Sequence, residues 1–301
     1  MYQYSVADWI LLFFIYGFFG WIFETTYVSI RKRKFVNRGF LRGPILPIYA
    51  SGAIIMLFAS IPFEGNLIAT YFAGMVAATF LELVVGLAME SIFKVKYWDY
   101  SNQKFQFKGV ICLSSSIAWG FLTLFLTEVI HKPIERVLFQ IPHVLEYVLV
   151  AVVSVVFVSD TIASVKAALD LRKMLEKMTA MRKELEEMQE EFLEMAAEKK
   201  EVLLKAASQK KERFIERIED YKEEILENAP DKLESYYHLK DKLEEYREYS
   251  KNYGILKAEL LKAHPSASSM KYKEALRDIR KYIEEDLKTK KNKLKNKKME
   301  D

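Results

Sequence analysis

The chain has 301 residues, a net charge of +4 and a mean hydropathy of −0.04. These averages conceal two unlike halves, because residues 1 to about 165 are strongly apolar and the rest is dominated by Lys, Glu, Arg and Leu. One cysteine, Cys112, excludes an intramolecular disulfide. No basic region precedes the first apolar run and no small-residue cleavage site follows it, so a cleaved signal peptide is not expected.

Five apolar segments approach the length of about 20 residues that a helix needs to cross a bilayer. They lie at residues 8–29, 45–62, 66–92, 109–130 and 144–166. The second begins at Pro44 and Pro47, and proline is favoured in the first turn of a helix, where its missing N–H costs least. The sequence therefore predicts an all-α, polytopic membrane helix bundle over residues 1–165.

Basic residues are unevenly distributed among the loops between these segments. Residues 31–44 carry six positive charges and no acid, and residues 93–108 carry four lysines and one acid. The intervening loops, 62–65 and 131–143, are poor in basic residues. Basic loops stay in the cytoplasm. The predicted topology is therefore multi-pass, with the N-terminus outside and the C-terminus in the cytoplasm.

The first basic loop, Arg31 to Tyr49, also contains two glycines and two prolines. Such residues specify a backbone path that a simple charge cluster does not need. The four leading charges, Arg31 to Lys34, suffice to explain the topology. Arg38 and Arg42 are then available as partners for acids within the membrane, and the loop would form the lid or rim of any site there.

Ionisable residues within membrane spans are costly and are candidates for function. The predicted topology places four acids, Glu24, Glu82, Glu90 and Asp160, in the cytoplasmic half of the bilayer, near the serines at 114–116. Glu82 and Glu90 share one helix face, since they are two turns apart. We therefore predict a cytoplasm-facing polar cavity. Its candidate residues are Glu24, Asn37, Arg38, Arg42, Glu82, Glu90, Asp99 and Asp160.

Structural explanations compete with this hypothesis. Glu24 and Glu90 are close enough to the interface to extend into water. The deeper Glu82 and Asp160 need partners or a proton, and a structural ion pair is the alternative to a substrate- or proton-linked cavity. No metal site is predicted, because His131 and His143 are twelve residues apart without a third ligand and are expected to be polar groups at the outer interface.

The second half, residues 166–287, is predicted to be a cytoplasmic coiled-coil and helical-hairpin region. Between Leu171 and Met195, apolar residues alternate at spacings of three and four, with methionine at each d position. This stripe favours either a homodimer or an amphipathic helix that packs on another protein or on its own chain. A further stripe, 214–225, precedes Pro230, and residues 264–269 are interpreted as a linker before a last helix at about 270–288.

The Lys-rich end, residues 288–301, is predicted to be a disordered tail that is solvated or attracted to the anionic inner leaflet. Nucleic-acid binding is not expected, because no fold signature or interleaved aromatic residues accompany the lysines. The bilayer is thus the first predicted partner, and no cofactor is predicted.

Residues 8 to 165 contain a series of short motifs in a fixed order. They are Gly20-Trp21-x-x-Glu24, Asn37-Arg38-Gly39-Phe40-Leu41-x-Gly43-Pro44, Pro47-Ile48-Tyr49, Leu81-Glu82-Leu83, Gly86, Glu90, Trp98-Asp99-Tyr100-Ser101, Gly109, Ile111-Cys112-Leu113 and Trp119-Gly120. By these motifs the chain resembles the CmpB-like family of predicted ABC-transporter type IV permeases, differing at Ala50, Gln106 and Val110. The resemblance implies a bacterial plasma-membrane protein with a transport role, and it implies no catalytic residues.

The 301 residues contain no Gly-x-x-x-x-Gly-Lys-Ser/Thr phosphate-binding loop, so a permease role requires a separate ATPase subunit. Two other hypotheses stay open. One is a membrane-anchored coiled-coil scaffold or assembly factor. The other is an inner-leaflet enzyme acting on a lipid-linked substrate, with Glu24, Glu82 or Asp99 as acid/base and the loop arginines as clamps. The sequence contains no recognisable catalytic motif.

Overall fold

The computed structural model describes residues 4–196, 230–256, 258–264 and 267–284. The chain divides into two compact units. The first consists of Met1–Arg172 and Glu259–Lys271, and the second of Lys173–Ala258 and Tyr272–Asp301. The chain therefore leaves the first unit, returns to it for a short segment, and leaves it again.

The elements of the first unit are almost all helical. They are α1 (Val6–Lys32), α2 (Pro47–Ser60) with a 3-10 turn (Ile61–Phe63), α3 (Leu67–Phe93), the antiparallel strands β1 (Gln106–Phe107) and β2 (Ile111–Cys112), α4 (Leu113–Phe125), a π-helical turn (Leu126–Ile130), α5 (His131–Leu138) and the start of α6 (His143–Ala196). After them come α7 (Pro230–Leu256), α8 (Ala258–Ala263) and α9 (273–284). The predicted all-α membrane-type bundle is confirmed.

In the part of the chain that the structure describes, four helices are long and apolar enough to cross a membrane. They are Val6–Lys32, Leu67–Phe93, Leu113–Leu138 and His143–Glu190. The second predicted span, 45–62, corresponds to a shorter apolar helix, Pro47–Phe63. At 1.5 Å per residue it is about 25 Å long, somewhat less than the hydrocarbon core of a bilayer. The predicted proline start is correct, since Pro47 is the first residue of α2.

Local sequence determines where these helices begin. Ser5 caps α1: its hydroxyl accepts a hydrogen bond from the Asp8 N–H at 3.0 Å, and the Asp8 carboxylate accepts from the Ser5 N–H at 2.8 Å. Asn66 caps α3 by accepting from the Ala69 N–H at 3.1 Å. Each side chain satisfies N–H groups that would otherwise lack a partner at a helix start.

The helices of the first unit pack in sequence, with α2 between α1 and α3 and with α4 on α3. Their core is apolar and includes Leu12, Met56, Leu57 and Leu126. The outward faces are apolar as well: Phe72, Val76 and Phe80 on α3 are exposed, and so are Val152 and Val155 on α6. Apolar residues on both the inner and the outer faces are typical of helices surrounded by lipid.

Helices α3 and α4 are in close contact at Gly74, where an added Cβ would overlap the side chain of Thr123. We expect Gly74→Ala to force the two helices apart and to destabilise the bundle by about 1–3 kcal/mol. Gly52→Ala on α2 is the matched control, because its nearest neighbour would be Leu81 Cδ2 at an ordinary 3.9 Å. The free energy of unfolding in detergent should fall only for Gly74→Ala, and equal effects of both changes would contradict this packing argument.

His131, predicted to be a polar residue at the outer interface, is fully buried at the start of α5. The Tyr16 hydroxyl lies 2.5 Å from its Nδ1 and the Tyr4 hydroxyl lies 2.8 Å from its Nε2. The Tyr4 hydroxyl also donates to Glu135 Oε1 at 2.5 Å. His131 is therefore a buried polar residue, and two tyrosines are hydrogen-bonded to its two ring nitrogens. His143 is exposed and lies 3.2 Å from Glu146.

The stripe that begins at Leu171 continues into the second unit, where the same chain buries its apolar residues. Met174, Leu175 and Met178 on α6 are at most 2% exposed. The Ser250 hydroxyl of α7 lies 3.8 Å from Met178 Sδ, and Arg182 pairs with Asp278 of α9 at 2.8 Å. The structure thus favours the fold-back interpretation of the stripe, and its apolar residues Leu171, Met174 and Met178 are not open to a second copy. The homodimer prediction has no support from this part of the stripe.

Two predicted features fall outside the described residues. They are the apolar stripe at 214–225 and the Lys-rich tail at 288–301. Pro230, which follows that stripe, is the first residue of α7. The predicted last helix, 270–288, corresponds to α9, which is described over 273–284.

Candidate functional site

The basic loop between α1 and α2 is fixed to the end of α1 by side-chain hydrogen bonds. Asn37 accepts from the Trp21 indole N–H at 2.6 Å and donates from its amide to the Arg42 carbonyl at 2.7 Å. The Arg38 N–H donates to Thr25 Oγ1 at 3.2 Å. Asn37 therefore determines the shape of the loop, and both its polar ends already have partners within the chain.

Arg38 extends from this loop to Glu24 on α1. Its Nε donates to Glu24 Oε1 at 3.1 Å, and the hydroxyl of Tyr49 donates to the other carboxylate oxygen at 2.8 Å. Gly20, one turn before Glu24, makes this possible, because a Cβ there would overlap the side chain of Tyr49. Glu24 is therefore part of a three-residue cluster, although its position near the interface also allowed the interpretation that it simply extends into water.

Glu82, in the middle of α3, is only 4% exposed and is surrounded by hydrogen-bond donors. Tyr100 donates to Oε1 at 3.1 Å, while the Trp119 indole N–H lies 3.0 Å from Oε2 and the Ser115 hydroxyl 3.3 Å from it. Neutral groups thus satisfy this carboxyl from two directions, the loop before α4 and α4 itself. The donor set differs from that of Glu24, which has an arginine.

Aromatic residues place the two carboxyl clusters side by side. The rings of Tyr49, bonded to Glu24, and Trp119, bonded to Glu82, meet edge to face with centroids 6.2 Å apart. Burial raises the pKa of the Tyr100 hydroxyl, and the charges of Glu82 and Glu24 raise it further, so this hydroxyl stays protonated and acts as a donor. We refer to these residues as the paired-carboxyl site. Its members are Glu24, Arg38, Tyr49, Glu82, Tyr100, Ser115 and Trp119.

Asp160, on α6, binds the backbone of the basic loop. Its carboxylate accepts from the Gly43 N–H at 2.8 Å and from the Arg42 N–H at 3.3 Å. The side chain of Arg42 is exposed, so the contact predicted between Arg42 and a buried acid is made by the main chain. Asp160 therefore anchors the loop to α6.

Glu90 and Asp99 lie at the loop that follows α3. Glu90 is 3.9 Å from Lys96 Nζ, at the side of an open cavity of about 340 Å³ that Lys94 and Met270 also line. Asp99 accepts from the hydroxyls of Ser101 at 2.5 Å and Ser268 at 2.6 Å. Burial alone would raise the pKa of Asp99, but these hydrogen bonds and the charge of Lys96 outweigh it and lower the pKa below its usual value.

The segment interpreted as a linker is instead packed on these loops. We call it the docked segment, residues 259–264 and 267–271. The backbones of Lys96 and Ser268 exchange two hydrogen bonds, at 2.7 and 2.9 Å, as an antiparallel pair. Arg38 Nη1 donates to the Ala263 carbonyl at 2.7 Å, and Ser269 donates to the Lys94 carbonyl at 2.7 Å. The linker prediction was wrong because these backbone contacts leave no pattern in the sequence.

His264 of the docked segment lies against the arginine of the site. Its Nδ1 is 3.3 Å from Arg38 Nη1 and its Nε2 is 3.0 Å from the Gly39 carbonyl. Arginine can only donate, so Nδ1 accepts and Nε2 carries the proton that it donates to Gly39. Burial, together with the charge of Arg38, lowers the pKa of His264 to about 3. His264 is therefore a neutral hydrogen-bonding residue here.

The structure brings together some of the predicted residues and separates others. Glu24, Arg38 and Glu82 belong to one site, while Asn37, Arg42 and Asp160 shape the loop and Glu90 and Asp99 lie beside the docked segment. Tyr49, Tyr100, Trp119 and His264 were not predicted. The first three are in the quoted family motifs, which was the available signal. Within the described residues, no group of three or more His, Cys, Asp or Glu could hold a metal ion.

Comparison with known proteins gives one family. A family model described as "Putative ABC-transporter type IV" matches residues 11–165, which is just over half of the chain. The matched region runs from α1 into α6 and contains every member of the paired-carboxyl site. It ends before the docked segment. No curated protein and no solved structure matches the chain significantly.

Proposed function

The chain belongs to the ABC-transporter type IV family, and from this premise we propose that it is the permease-type membrane subunit of a transporter whose ATPase is a separate protein. It would lie in the bacterial plasma membrane, with its N-terminus outside and the C-terminal unit in the cytoplasm. Four long apolar helices and the shorter α2 would provide the membrane-embedded bundle, with α2 completing the odd number of crossings that this orientation requires.

The observation that carries the proposal is the paired-carboxyl site. A buried carboxyl group in a membrane helix is costly and is usually retained for function. Glu24 has a cation, Arg38, as partner, whereas Glu82 is bonded to neutral donors only. A single structural ion pair would explain Glu24 but does not require Glu82. We assign the site to the transported substrate or to a gating step, with Glu82 as the residue that changes partners.

Each alternative function has less support. A scaffold that recruits partners through the stripe beginning at Leu171 would need that stripe exposed, and its apolar residues Leu171, Met174 and Met178 are buried within the chain. An inner-leaflet enzyme would need a base near its acids. Both nitrogens of the His264 imidazole are already hydrogen-bonded, to Arg38 and to the Gly39 carbonyl. The Asp99 carboxylate already accepts hydrogen bonds from two serine hydroxyls.

The proposal predicts a specific partner. The full chain, purified in mild detergent from its native membrane, should retain a nucleotide-binding protein, and the ATP hydrolysis of that protein should depend on this chain. Glu82→Gln should retain the partner but alter the hydrolysis rate. If several mild detergents yield no ATPase, or if hydrolysis is indifferent to the presence of this chain, the permease assignment is wrong.

A further inference from the structure

The loop between α3 and α4 ends in an exposed aromatic tip between two lysines. Phe105 is 81% exposed and Phe107 is 53% exposed, and both lie in a loop and not on the lipid-facing side of a membrane helix. Lys104 and Lys108 flank them and are exposed as well. No acidic residue occurs between Tyr100 and Gly109. The tip therefore presents apolar rings and positive charge together.

The two-stranded ribbon places this tip at the boundary of the membrane bundle. Phe107 pairs with Ile111, and the Leu113 N–H donates to the Phe105 carbonyl at 3.0 Å. Leu113 is the first residue of α4, the start of a candidate membrane span. The exposed face of α4 continues from it through Ile117 and Phe121. The aromatic tip thus adjoins the end of a lipid-facing helix surface.

The backbone of the tip is held in a disfavoured conformation. Phe105 has φ of 53° and Lys108 has φ of 52°, in the left-handed region that bulky residues avoid. Hydrogen bonds maintain it: Gln106 accepts from the Gly109 N–H at 2.6 Å, and Lys96 donates to the Lys108 carbonyl at 2.7 Å. Such strain persists where the surrounding structure determines it, and it is concentrated at functional positions.

We propose that residues 104–108 are an anchor for anionic phospholipids of the cytoplasmic leaflet. In segments that lie on a bilayer, phenylalanine side chains bury at the boundary between headgroups and acyl chains while neighbouring basic residues face the headgroups. Phe105 and Phe107 would lie at that level, where their rings leave water, and Lys104 and Lys108 would bind lipid phosphates. Basic residues near an anionic surface strengthen binding by about fivefold each. The opposite charges of the tip and the leaflet argue for lipid over an apolar protein surface, which would not use the lysines.

The anchor acts close to the paired-carboxyl site. Tyr100 lies at the base of the loop that carries the ribbon: its backbone N–H donates to the Gly109 carbonyl at 2.8 Å, and its hydroxyl donates to Glu82. Fixing the tip in the leaflet fixes the position of this tyrosine. The lipid anchor does not depend on the proposed transport function and can be tested without a transport assay.

The test uses the full chain with Phe105→Trp, reconstituted in phosphatidylcholine vesicles that contain phosphatidylglycerol. In separate samples, one of the two lipids carries bromine on its acyl chains near the headgroup. The quantity measured is the fluorescence that Phe105→Trp adds to that of the four native tryptophans. We expect brominated phosphatidylglycerol to quench this added signal several-fold more than brominated phosphatidylcholine. Adding Lys104→Gln and Lys108→Gln should bring the two lipids within about twofold of each other.

Phe121→Trp is the matched control on the lipid-facing side of α4. Its fluorescence should be quenched equally by both lipids, with or without the lysine changes, which also shows that the variants are inserted and folded. Absence of quenching at position 105 by either lipid would overturn the proposal. Protection of that tryptophan from both lipid and aqueous acrylamide would also overturn it, and would indicate that protein covers the tip. If the preference for phosphatidylglycerol is unchanged after the lysine changes, the proposed binding of lipid phosphates by Lys104 and Lys108 is wrong.

Discussion

Glu82→Leu is expected to destabilise the membrane bundle by about 2–4 kcal/mol, because it leaves buried donors without an acceptor. The Trp119 indole N–H and the Tyr100 hydroxyl both donate to this carboxyl. Ser115 is less affected, since its hydroxyl can donate to the Cys112 carbonyl at 2.9 Å. The measurement is the free energy of unfolding of the full chain in detergent, followed by tryptophan fluorescence and circular dichroism.

Glu82→Gln is the matched variant that separates fold from function. A glutamine can accept from Trp119 and Ser115 with its oxygen and donate to the Tyr100 hydroxyl with its nitrogen, since a hydroxyl accepts as well as donates. Its stability should therefore stay within about 1 kcal/mol of that of the parent chain. If it folds normally and ATP hydrolysis by the partner is unchanged, Glu82 is purely structural. If Glu82→Leu is as stable as the parent chain, the hydrogen-bond account of this residue is wrong.

The sequence was sufficient for the features that depend on one segment at a time. Apolar length predicted the membrane helices, Pro47 predicted the start of α2, and Pro230 corresponds to the start of α7. The second span was less well predicted, because apolar composition does not determine how many residues of 45–62 continue as regular α-helix before the 3-10 turn at Ile61.

Features that depend on distant segments were not predictable in the same way. Glu82 could be recognised as a costly residue, but its partners, Tyr100 and Trp119, are 18 and 37 residues away in sequence. The contact of Arg38 with Ala263 spans 225 residues and uses a backbone carbonyl, which every residue type has. No composition or spacing rule identifies such a partner, so the docked segment was interpreted as a linker.

The stripe beginning at Leu171 shows the same limit. Its spacing correctly predicted a helix with one apolar face, and Leu171, Met174 and Met178 are buried. Methionine side chains adapt to many partner surfaces, so the pattern did not distinguish a second copy from helices α7 and α9 of the same chain. Charged contacts such as Arg182 with Asp278 select the intrachain partner, and they join residues that periodicity does not relate.

Acidification below about pH 6.5 is expected to release the docked segment, through protonation of His264. The pKa of His264 is lowered from 6.5 to about 3 in the folded chain, so the docked state holds the neutral imidazole. The free energy that holds the segment in place is thus largest above pH 6.5. It falls by up to about 1.4 kcal/mol for each pH unit below 6.5, until the pH reaches the folded pKa. At about pH 4.5 the loss is about 3 kcal/mol. The cause is that the imidazolium would face Arg38 while buried.

Hydrogen exchange of the paired backbone amides of Lys96 and Ser268 measures this release. His264→Gln is the control, since an amide can accept from Arg38 and donate to the Gly39 carbonyl without gaining a proton. At neutral pH the two proteins should exchange these amides at similar rates. At about pH 4.5 the parent chain should exchange them about 100-fold faster than the variant, which is about 3 kcal/mol expressed as a rate ratio. If the parent chain and the variant exchange these amides at equal rates at neutral pH and at about pH 4.5, His264 does not hold the segment on Arg38. The backbone pair alone would then keep the segment in place.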